Sequence, residues 1–130
     1  MKFIVKLQAE IAIKSRPVRK RFTKILESNI KNVLRRTDET VTVRGNWDNI
    51  EINTKNNSDE NRSALIETLS CIPGVAQFIE VQQASFTDVH DIFEKTLAVH
   101  AKTIENKTFC VRVKRTGKHD FNSLKVEQYV

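Results

Sequence analysis

Residues 2–8 alternate at period two, with Phe3, Val5 and Leu7 on one side, and this pattern predicts a half-buried strand. The period then lengthens. Val18, Phe22, Ile25, Leu26, Ile30, Val33 and Leu34 recur at helical spacing and predict an amphipathic helix over 16–36. Ser15 stands where an N-cap belongs, and Pro17 falls in the first turn, where its missing N–H costs little. Residues 40–44 are rich in β-branched side chains and residues 49–53 return as a further strand. The turn residues Gly45-Asn46-Trp47-Asp48 lie between them, which reads as a hairpin. Asn56-Asn57-Ser58-Asp59 is a loop carrying a cap, Ala64, Leu65, Leu69 and Ile72 mark a second helix, and Pro73-Gly74 stops it. Residues 75–81 form a fourth strand.

The order β-α-β-β-α-β is the split βαβ, or ferredoxin-like, arrangement: an α+β domain with two helices on one face of a four-stranded antiparallel sheet. It accounts for residues 1–83. Residues 84–130 form a second region. Thr87 or Asp88 caps a helix with Val89, Ile92, Phe93, Leu97 and Ile104 along one side. A strand is expected over 107–115 and a further helix from Asn122. One helix, one strand and part of another helix cannot bury a sheet face, so the chain reads as the front of a larger protein.

Charge changes the picture more than composition does. The net charge of +6 is uneven: residues 1–40 hold 11 Lys/Arg against 4 acids, residues 41–86 hold 3 against 6, and residues 87–130 hold 8 against 6. One concentration lies on the first helix, where Arg16, Arg19, Lys20, Arg21, Lys24, Lys31, Arg35 and Arg36 face a single acid, Glu27. Ordinary surface helices mix signs for i,i+4 support, and this one hardly does. It reads either as a solvated face or as a phosphate-contacting one.

The second concentration is Phe109-Cys-Val-Arg-Val-Lys-Arg-Thr-Gly-Lys-His-Asp-Phe121. Phe109, Val111 and Val113 alternate with Cys110, Arg112 and Lys114, and a Thr116-Gly117 turn leads to Lys118 and His119. Arg112, Lys114, Arg115, Lys118 and His119 form a dense donor set suited to a nucleic-acid backbone. The plainer reading is an edge strand protected from aggregation by its cations. Phe121 is expected to anchor the loop in a core. Trp47 could stack on a base, or more simply cover one end of the small core. His90 and His100 read as surface residues, and Cys71 as a core filler.

Other chemistry finds little support. The sequence has no P-loop, GxSxG, HExxH or paired-carboxylate signature. Cys71 and Cys110 lie too far apart in sequence, without a CxxC, to suggest a zinc site or a disulfide framework. No apolar run approaches the roughly 20 residues needed to cross a bilayer. No catalytic or metal-binding residue, no cofactor within these residues, and a reduced, cytoplasmic setting are the expectations.

Six segments together resemble the bacterial tRNA 4-thiouridine sulfurtransferase family, also called the thiamine-biosynthesis ThiI family. They are Lys2-Phe-Ile-Val-Lys-Leu, Ile13-Lys-Ser-Arg-Pro-Val-Arg-Lys-Arg-Phe, Trp47-Asp-Asn-Ile-Glu, Ile72-Pro-Gly-Val, Phe86-Thr-Asp-Val-His-Asp-Ile-Phe-Glu-Lys and the basic 109–121 run. The resemblance implies a ferredoxin-like domain followed by the opening helix, strand and helix start of a THUMP domain, an RNA-binding module, truncated at residue 130. It implies tRNA as partner, with Arg112, Lys114, Arg115, Lys118 and His119 as RNA contacts beside Arg16, Arg19 and Lys20. The parent enzyme would be a transferase that uses ATP in a domain outside this chain to make 4-thiouridine, and that supplies sulfur for the thiazole of thiamine. A cysteine desulfurase would donate the sulfur, and a homodimer is a further candidate assembly. The rival reading, from another class, is a structural module whose basic faces meet an acidic protein partner.

Overall fold

A computed structural model describes residues 1–130. The elements run β1 (Lys2–Leu7), α1 (Ala9–Ala12), α2 (Arg16–Leu34), β2 (Thr42–Gly45), β3 (Asn49–Asn53), α3 (Asp59–Ser70), β4 (Val75–Val81), α4 (Val89–Ile104) and α5 (Ser123–Tyr129). The chain divides into two compact units, Met1–Gln83 and Ala84–Val130. No helix is long and apolar enough to cross a membrane.

In the first unit the sheet order is β2-β3-β1-β4, antiparallel throughout, with Val5 opposite both Ile50 and Phe78. This is the ferredoxin-like arrangement expected from the element order. One sheet face carries Phe3, Val5, Leu7, Ile50 and Ile52. They pack with Leu26, Ile30 and Leu34 of α2, Val41, and Leu65, Leu69 and Ile72 at α3. Phe3 and Phe78 meet edge to face with ring centroids 6.3 Å apart. The opposite face is polar at Lys2, whose ammonium pairs with Glu51 at 3.0 Å. The Lys2 hydrogen bond holds the Glu51 carboxyl below its usual range.

The local departures from expectation have physical causes. Between the first strand and the first long helix the chain forms the single helical turn α1, and Gln8 N–H donates to the Gly74 carbonyl at 3.1 Å. Gly74 has a φ of +93°, and a Cβ there would crowd Leu26 Cδ1 at 3.2 Å. Ser15 occupies the cap position of α2, but its hydroxyl makes no capping bond. The buried line of α2 is Thr23, Leu26, Ile30 and Leu34. Phe22 and Ile25 sit one residue away, about 100° around the helix, and with Val18 they remain substantially exposed. The apolar stripe is wider than the surface that covers it. Cys71 is exposed rather than a core filler: it is the C-cap residue of α3, and its neighbours Leu69 and Ile72 take the buried positions.

Asp38 ties the unit together at one end. Its carboxylate accepts from Thr40 N–H at 2.8 Å, the Thr40 hydroxyl at 2.7 Å, the Asn61 amide at 2.9 Å, and the Thr54 hydroxyl. Burial raises the carboxyl's pKa, but these four donors outweigh it and bring the value down to about 2. The segment after α2, the end of β3 and the first turn of α3 are thereby joined through one side chain.

The second unit is built differently. Asp88 and Asn122 cap α4 and α5, accepting from the N–H groups of Asp91 and Lys125 at 2.8 and 2.7 Å. The Lys95 ammonium bonds Asp91 at 2.7 Å and holds its carboxyl below the ordinary range. No residue of α4 is fully buried, and Val126 of α5 is the buried apolar residue of the unit. The expected strand over 107–115 does not form, since no neighbouring strand pairs with it. Its side-chain alternation persists: Val111 and Val113 are half-buried, and Arg112 and Lys114 are exposed.

Candidate nucleic-acid interface

The basic segment of the second unit is shaped by bonds that replace a sheet ladder. Val113 N–H donates to Glu127 Oε1 of α5 at 2.8 Å. The Arg115 guanidinium donates to the carbonyls of His119 and Phe121, closing the loop on itself. Gly117 has a φ of +86°, the left-handed conformation its turn requires. His119 Nε2 lies 2.9 Å from the Thr116 carbonyl, and its ring stacks on Phe121 with centroids 5.3 Å apart. Phe86 packs against both rings. Phe121 is therefore a half-buried anchor in a small aromatic cluster.

These bonds sort the five residues. Arg115 and His119 hold the loop's shape while remaining exposed. Arg112, Lys114 and Lys118 are exposed and take part in no ion pair. Three free cations on a loop braced at a few points are suited to phosphate oxygens, which need charge and reach but little shape. A depression of about 300 Å³ in this unit lies beside α4 and is apolar, lined by Phe93, Leu97, Ile104 and Phe109 among others. His90, exposed on α4, bonds the Tyr129 hydroxyl at 2.9 Å.

In the first unit, α2 presents Arg16, Lys20, Arg21 and Lys24 in its first two and a half turns, all exposed. Arg19 differs from them. Its guanidinium donates to the carbonyls of Ala12 at 3.1 Å and Trp47 at 2.7 Å and pairs with Asp48 at 3.2 Å, leaving its side chain 14% exposed. It also lies 4.2 Å from the centroid of the Trp47 ring, within cation–π range. Trp47 does not cover the core: it is 50% exposed in the hairpin turn, pinned by Arg19. A hairpin tip extends beyond the layer that the core fills, so the indole packs on an arginine instead. Between α2 and this turn lies a cleft of about 320 Å³ lined by Arg16, Lys20, Lys24, Glu27, Gly45 and Trp47 among others.

Pattern reading found the cations but not their division of labour, because commitment of an arginine to a carbonyl leaves no trace in spacing. The cleft was missed as a unit, since its walls come from residues 16–27 and 45–47. Trp47, a large aromatic beside turn residues, was its one available signal.

Comparison with known proteins adds a further line. The ThiI ferredoxin-like domain family matches residues 2–79, and the THUMP domain family matches residues 86–130. The chain is 79% identical to a tRNA sulfurtransferase of Colwellia psychrerythraea, 59% to one of Tolumonas auensis and 56% to one of Psychromonas ingrahamii. All 130 residues align in each case and span 27% of the relative's length. No solved structure matches the chain.

Proposed function

The chain belongs to the ThiI ferredoxin-like domain family, and on that footing we propose that it is the tRNA-docking part of a tRNA sulfurtransferase. The observation that carries this reading is the set Arg112, Lys114 and Lys118: exposed, unpaired, and mounted on a loop whose shape other residues maintain. Arg16 and Lys20, with Lys24, supply a second cationic surface on α2. Arg115, His119 and Arg19 act mainly by fixing backbone and aromatic neighbours, and of the three Arg115 keeps guanidinium donors for phosphate. Such contacts position an RNA by shape and backbone and read little of its sequence.

In this reading the larger protein converts a tRNA uridine to 4-thiouridine with ATP and with sulfur delivered by a cysteine desulfurase, and also serves thiamine synthesis. The three glycines stand apart at 45, 74 and 117 and build no glycine-rich phosphate loop of the kind that cradles ATP. No step of the sulfur transfer is assigned to this chain.

Filter binding of tRNA across a salt series tests the proposal. About five neutralised phosphates predict a slope of log affinity on log salt near −4. Arg112→Glu with Lys114→Glu should abolish binding while leaving the fold intact by circular dichroism. A slope near zero, or unchanged affinity in the double variant, would refute tRNA docking by these cations. The latter result would favour an acidic protein partner.

A further inference from the structure

The cleft between α2 and the β2–β3 turn has more chemistry than phosphate docking uses. Its wall is a half-exposed indole held in place by an arginine that is itself bonded to two carbonyls and an aspartate. A ring fixed in this way offers a stacking surface without a further ordering cost. Arg16 lies 5.9 Å from the same ring, and Lys20 and Lys24 line the cleft one turn apart. Glu27 also lines it, half-buried, with no hydrogen bond or ion pair recorded to its carboxylate. Gly45 leaves the space that this carboxylate occupies: a Cβ there would stand 2.6 Å from Glu27 Oε2.

An acceptor-only group among cations is out of place in a simple phosphate site, where it would repel the ligand. It suits a ligand that brings both negative charge and hydrogen-bond donors. An aromatic plate, flanking cations and one free carboxylate together match a nucleotide: base on the indole, phosphate on Lys20 or Lys24, and a base amino group or ribose hydroxyl on Glu27. From these features we infer that the cleft takes one unpaired nucleotide of the docked RNA, stacked on Trp47, so that the first unit distinguishes a single-stranded end from a duplex. This rests on the RNA-docking reading and adds a specific subsite to it.

Trp47 is the sole tryptophan of the chain, so its fluorescence reports on the cleft alone. A short single-stranded oligoribonucleotide should quench that emission saturably. A blunt RNA duplex of equal phosphate number, or inorganic pyrophosphate, should not. Trp47→Leu, with its fold checked by circular dichroism, should weaken an RNA with an unpaired end about 5- to 100-fold and leave the blunt duplex unaffected. Glu27→Gln, which keeps the fluorophore, should weaken the single strand several-fold. Salt-dependent tRNA binding with unchanged Trp47 emission would overturn the nucleotide cleft while docking stands. Equal quenching by pyrophosphate would reduce it to a bare anion site and overturn it as well. Absence of any tRNA binding would remove both readings.

Discussion

Residues 1–83 and residues 84–130 support their cations in different ways. In the first unit a helix stands on a core of twelve buried apolar side chains drawn from sheet and helices. In the second, one apolar side chain is buried, and the basic segment is kept in shape by Glu127, Arg115 and the His119–Phe121–Phe86 cluster. Hydrophobic burial is cooperative over many residues, whereas a few side-chain bonds fix only the backbone they touch. A helix on a core therefore offers a rigid row of charge. A loop pinned at a few points offers charge that can adapt to a backbone.

The largest test of this contrast is large-to-small replacement. Ile30→Ala, fully buried on α2, should cost about 2–5 kcal/mol in urea unfolding. Leu97→Ala on α4, 46% exposed, should cost less than about 0.5 kcal/mol. Equal penalties would erase the distinction between the two units.

Acid titration gives the next effect. The folded Asp38 pKa, about 2, lies below the ordinary 3.8, so the folded state favours the carboxylate. Its contribution is fully present above about pH 5 and is lost as pH falls through 2, and amounts to roughly 2–3 kcal/mol. Asp38→Asn should be less stable at neutral pH and show a flatter acid limb in denaturation curves. An unchanged limb would mean that the four donors do not stabilise the ionised form.

A smaller effect concerns the loop. Glu127→Ala should raise the hydrogen-exchange rate of the Val113 amide about 5- to 10-fold, the loss expected for one part-buried hydrogen bond worth about 1 kcal/mol. Amides of β1 and β3 should be unmoved. If they respond, the loop's support is not local. Smallest of all, Cys71→Ser should shift stability by less than about 0.5 kcal/mol, because the thiol is exposed. A loss above 1 kcal/mol would restore it to the core.

Much of the fold was legible because burial imposes periodicity. The alternation of Phe3, Val5 and Leu7 announced β1, Pro73-Gly74 announced the stop after α3, Asp88 was one of two candidates for the cap it forms, and Asn122 marked the start of α5. Segment 107–115 misled in an instructive way. Its alternation is real, yet a strand is a relation between two backbones, and no sequence pattern in one segment supplies the other. Trp47 and Cys71 misled for a related reason, since hydrophobic character records a preference for burial and not whether a covering surface exists.

The amino-acid sequence by itself determined the β-α-β-β-α-β order of the first unit, the sheet-facing residues of β1, and the two concentrations of positive charge, because these follow from local spacing. Only the tertiary structure decided which cations are free. Arg19 is claimed by Ala12, Trp47 and Asp48, and Arg115 by its own loop, whereas Arg112, Lys114 and Lys118 remain unpaired. The partners of Arg19 and Arg115 are carbonyls, a carboxylate and a ring that lie from 4 to 29 residues away in the chain, and only folding brings them within hydrogen-bond or cation–π reach.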